Sequence, residues 1–62
     1  MKPMATPTDL ANEAFHLEQD GDFAQAIVLY RLAHRRTHSR NRKRWLHTQA
    51  RRCEARAGNQ TG

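Results

Sequence analysis

A chain of 62 residues holds one domain and no more, and at this size folding buries only about 60% of the surface exposed by the unfolded chain. A single cysteine, Cys53, excludes a disulfide framework and a thiolate zinc cluster, so the core rests on helix packing or on a partner. The net charge of +5 is unevenly spread: residues 1–30 carry Lys2 against Asp9, Glu13, Glu18, Asp20 and Asp22, a charge of −4, whereas residues 31–62 carry ten bases against Glu54 alone, a charge of +9.

Residues 1–6 read as a flexible tail, with one lysine and no apolar stretch behind it, so no signal peptide is expected. No apolar run approaches the roughly 20 residues that a membrane span needs, and cytoplasmic residence is the expectation. Thr6-Pro7-Thr8-Asp9 predicts a helix start over about 7–19: threonine suits the N-cap, proline the first position, and an acid follows three residues on. Leu10, Ala14 and Leu17, flanked by Ala11 and Phe15, give this helix its apolar stripe, and Gly21 ends it. Asp22 is expected to cap a second helix over 23–36. Phe23, Ala26, Ile27, Tyr30 and Ala33 form one apolar face of that helix, and Val28, Leu29 and Leu32 form another, which predicts neighbours on both sides. Thr37 to Arg42 reads as a turn with Ser39 and Asn41 as caps. A third helix over 41–57 follows, with Leu46, Ala50, Cys53 and Ala57 on its stripe and Trp45 closing the core beside them. Gly58 is expected to stop it, leaving 59–62 as a second flexible tail.

The run Asp20 to Ala33 resembles the centre of a tetratricopeptide repeat. Gly21-Asp22-Phe23 stands where that family has its Gly-Asp/Asn-aromatic turn. Ala26, Tyr30 and Ala33 stand where an alanine, an aromatic and an alanine recur on the second helix, and Ala14 and Leu17 match the small and large positions of the first. The departures are Leu10 in place of the usual tryptophan, no terminal proline near His38, and Trp45 displaced by about one residue from the start of a next repeat. The resemblance covers roughly residues 7–40, a single repeat, whereas about three stacked units are needed for independent stability. The three-helix pattern also resembles the microtubule-interacting and transport domain. Both resemblances imply protein binding without catalysis.

The basic half carries the candidate site: Arg35, Arg36, Arg40, Arg42, Lys43, Arg44, His47, Arg51, Arg52 and Arg56. Arg40, Arg44, His47 and Arg51 follow i, i+4, i+7, i+11 and form one ridge, and Arg52 and Arg56 begin a second. Like charges at this spacing cost a helix a few tenths of a kcal/mol per pair, about the reverse of what an opposite pair contributes. An anionic partner would offset that cost: an acidic protein surface, or nucleic acid through counterion release. A solvated face that keeps the chain soluble is the plain alternative. His34 and His38 are four apart, but no third ligand accompanies them, so they read as surface histidines. Cys53 reads as a small buried hydrophobe. Glu13, Glu18, Asp20 and Asp22 lack an apolar wall and suggest no acid–base pair.

Together these features predict an all-α fold: a small antiparallel three-helix bundle at 7–58, built as a tetratricopeptide-like helix-turn-helix plus a basic C-terminal helix. The expected role is a non-enzymatic adaptor, regulator or inhibitor that docks its basic surface on an acidic site of a larger protein, without cofactor, metal or membrane. Nucleic-acid binding by the third helix is the alternative, and the acidic first helix makes a homodimer a further expectation.

Overall fold

The structure, a computed structural model, describes residues 6–60. It is an all-α three-helix bundle of α1 (Pro7–Gln19), α2 (Phe23–Arg36) and α3 (Arg40–Gln60). Of the tails expected at 1–6 and 59–62, residues 1–5 and 61–62 lie outside the described residues.

Local chemistry sets the helix ends. Thr6 Oγ1 accepts from the Asp9 backbone N–H at 3.1 Å, and the Asp9 carboxylate accepts from the Thr6 N–H at 3.2 Å, a reciprocal capping box. At the other end of α1, the Asp22 N–H donates to the Leu17 carbonyl (2.9 Å) and the Gly21 N–H to the Glu18 carbonyl (3.1 Å). This paired closure needs a left-handed residue, which Gly21 supplies at φ +88°. Asp22 does stand at the N-cap of α2, but its side chain makes no capping bond there. With its N–H committed to α1, its backbone sits at φ −87°, ψ 68°, away from the extended conformation of a working cap.

A three-residue turn leads to α3. Ser39 is the cap, its Oγ accepting from the Arg42 N–H at 3.3 Å, and the helix begins at Arg40, one residue before the predicted start. It does not stop at Gly58. The helix continues to Gln60, taking in Asn59 and Gln60 from the expected tail. Glycine inside a helix costs about 1 kcal/mol, and Gly58 does not take up the left-handed conformation that would turn the chain away.

α2 is the central helix and packs along both α1 and α3. His34 lies beside His47 and Arg31 beside Glu54, so α3 runs antiparallel to α2. α1 and α3 flank it, and the molecule is a plate of 41 × 28 × 13 Å. The core is Leu10, Ala11, Ala14, Ala26, Tyr30, Ala33, Leu46, Ala50 and Cys53. Five of these nine are alanines, which let the helix backbones approach closely, so volume must come from elsewhere. Tyr30, Leu46 and Cys53 are the largest fully buried side chains.

Several expected placements change, and Phe15, expected beside the α1 stripe, is 49% exposed. Trp45 is 48% exposed, because the stripe runs through Leu46 and its neighbour falls about 100° round the helix. Its ring still touches the core edge-on, 6.2 Å from Tyr30. The second apolar face of α2 is covered only in part: Leu29 and Leu32 are half-buried against the core, whereas Val28 is exposed. Glu18, expected to lack an apolar wall, is buried.

Candidate interaction surfaces

The buried carboxylate joins all three helices. Glu18 continues the α1 stripe of Leu10 and Ala14 at steps of four, which carries it inside. It accepts from the Tyr30 hydroxyl at 3.1 Å and from the Arg56 guanidinium at 3.1 Å. Burial, reinforced by the negative charge of Glu18, holds the Tyr30 phenol well above its ordinary value. The same two causes push the Cys53 thiol up.

A pH dependence follows. Both groups are neutral when protonated, and the folded chain holds these protons more tightly than the unfolded chain. Below the ordinary values of 9.0 for the thiol and 10.0 for the phenol, both states are protonated and the stabilisation is complete. Above them the unfolded chain releases protons first, and stability falls by up to about 1.4 kcal/mol per pH unit per group. Thermal melts should therefore show Tm dropping between about pH 9 and 11, with a shallower drop in Tyr30→Phe. A Tm flat across that interval would remove both groups from the core.

All ten candidate basic-surface residues are exposed, yet the fold divides them. A first stripe, Arg40, Arg44, His47 and Arg51, runs along the flank of α3 nearest α2. His47 and Arg51 line an open groove between these helices with Arg31, His34 and Arg35, over a floor of Tyr30, Leu46 and Ala50. The His34 and His47 rings stand 6.4 Å apart in it, and Arg31 pairs with Glu54 at its edge. His38 falls in the turn after α2, so it shares no helix face with His34. The surrounding arginines oppose a metal cation, and no three His, Cys, Asp or Glu side chains converge among the described residues.

A second stripe, Arg42, Trp45, Arg52 and Arg56, lies on the flank facing α1. Arg42 donates to the Thr8 hydroxyl, and Arg56 is held by Glu18. Thr8, Ala11, Asn12, Ser39 and Asn41 complete a shallow groove with Arg42 and Trp45. Arg35 and Arg36 close α2, and Lys43 lies in the first turn of α3. Only two ion pairs occur among the described residues, Arg31–Glu54 and Arg56–Glu18, so eight of the ten bases in residues 31–62 have no carboxylate partner.

Trp45 is the surface residue that sequence reasoning missed. Its offset by one position from the Leu46–Ala50–Cys53 stripe is the signal that would have found it. No helix among the described residues is long and apolar enough to cross a membrane. Comparison with protein-family models, with curated proteins and with solved structures finds no match.

Proposed function

We propose that this chain is a non-enzymatic binding module that docks the α1-facing flank of α3 on an acidic surface of a larger protein. The observation that carries the reading is Trp45: a half-exposed indole braced edge-on against buried Tyr30, with Arg42 and Arg52 on the same flank. Tryptophan and arginine are the residues that most often anchor protein interfaces, and a braced side chain loses little further entropy on binding. The surplus of unpaired bases favours an acidic partner and fast, steered encounter. The likeness of residues 20–33 to a tetratricopeptide turn, in a family of protein binders, supports the same reading.

The same indole favours one second reading, stacking on the bases of a nucleic-acid strand whose phosphates the arginines neutralise. A duplex-reading helix-turn-helix is less well supported, because α3 packs along α2 instead of crossing it as a free recognition helix.

Affinity capture with the wild-type chain, Trp45→Ala and Arg52→Glu separates these readings. Docking on an acidic protein predicts a partner whose capture weakens with salt and is lost in both variants, Trp45→Ala costing about 2 kcal/mol, or about thirtyfold. Micromolar binding to a random single strand of about 20 nucleotides, with a steep salt slope, would transfer the function to nucleic acid. Capture that both variants retain would remove this flank from the function.

A further inference from the structure

Two exposed ridges of opposite sign share one spacing. On α1 and its C-cap, Asp9, Glu13, His16 and Asp20 follow one another at i, i+4, i+7 and i+11. On α3, Arg40, Arg44, His47 and Arg51 follow at the same steps. All eight side chains are exposed, and no ion pair among the described residues uses any of them. Each ridge rises about 16 Å along its helix. Thr8 reaches Arg42 and Glu18 reaches Arg56 within the chain, so at equal height along these parallel helices Asp9 stands level with about Arg44, and Glu13 with the stretch His47 to Arg51.

Within one chain the ridges do not meet. The side-chain contacts between α1 and α3, Thr8 with Arg42 and Glu18 with Arg56, come from the opposite flanks of both helices. The ridges therefore border the far side of the plate, on either side of α2. Val28 belongs to that side, about 160° round α2 from buried Tyr30, and it is 58% exposed, with half-buried Leu32 one turn on.

We infer that two copies of this chain pair back to back through these ridges, about a two-fold axis running along α2. Because α1 and α3 run parallel to each other, rotation about that axis sets each copy's acidic ridge beside the basic ridge of the other without reversing either helix. Val28 then meets its own copy at the axis. A face of 41 × 28 Å is large enough for the roughly 800 Å² that each partner of a standard interface buries. The contact is self-complementary and closes at two. It also relieves the repulsion that each ridge carries alone. This pairing is independent of the Trp45 surface, which faces the other way.

Sedimentation of the full chain at about 50 mM and about 500 mM salt tests it. The expected result is a dimer at low salt that weakens at high salt. Glu13→Arg alone and Arg51→Glu alone each weaken pairing at least about tenfold, since each reverses two contacts in a symmetric pair. An equimolar mixture of the two variants regains the dimer, because each copy offers the sign that the other lacks. Val28→Asp abolishes it by setting two carboxylates together on the axis. Far-ultraviolet circular dichroism verifies that these surface variants remain helical. A monomer at low salt, growth beyond two copies, a mixture no tighter than either variant alone, or a dimer that survives Val28→Asp would overturn the arrangement. Trp45→Ala leaves the dimer intact, so failure of partner docking and failure of self-pairing are read separately.

Discussion

Tyr30→Ala is expected to leave the chain unfolded at 25 °C. Removing a buried aromatic side chain costs about 3–5 kcal/mol, and a core in a domain this small rarely supplies more than about that. The site has little means of collapsing, because its neighbours Ala26, Ala33 and Ala50 are already short and Leu46 is fully buried. Tyr30→Phe keeps the ring and loses only the hydroxyl bond to Glu18, a loss of about 1–2 kcal/mol that leaves a folded but weaker chain. Helical circular dichroism at fixed protein concentration distinguishes the three chains. A cooperative wild-type-like melt from Tyr30→Ala would show that the ring is not the centre of the core.

The second large effect is at Glu18. Glu18→Ala strands the Tyr30 hydroxyl inside the core and removes the acceptor of Arg56, a cost of about 2–3 kcal/mol. Glu18→Gln can still accept from the hydroxyl and should cost about 1 kcal/mol. Arg56→Ala should cost less than about 1 kcal/mol, because its side chain is 49% exposed and the pair gains little in water. Urea midpoints therefore fall in the order wild type, Arg56→Ala, Glu18→Gln, Glu18→Ala. Equal losses from Arg56→Ala and Glu18→Ala would mean that the ion pair, not the tyrosine bond, ties the helices together.

The bounds of α1 and α2 are legible residue by residue, because short-range chemistry makes them: a threonine cap with an aspartate three residues on, a proline at the first position, a glycine in the left-handed closing turn. The burial of Ala26, Tyr30 and Ala33 is equally legible from their spacing. Trp45 misleads because bulk argues for the interior while position argues for the edge, and position prevails. Glu18 misleads in the opposite sense: charge argues for water, but its place on the Leu10–Ala14 stripe carries it in, where a hydroxyl and a guanidinium await it. Gly58 marks an end in composition only, since a glycine stops a helix where the chain turns away and here it does not. The division of the bases into two stripes is the least legible feature. It depends on which neighbour each flank of α3 meets, and one helix's sequence does not contain that.

The thinness of the plate, 13 Å in its shortest dimension, bears on valency. In a back-to-back pair, the two tryptophan-bearing flanks point in opposite directions across two such thicknesses. They would not close together on one target, so the gain in effective concentration that tethered sites provide on a single surface is absent. Such a pair would bridge two separate molecules, and mixing it with a partner that is itself multivalent would build extended networks whose size peaks at matched stoichiometry.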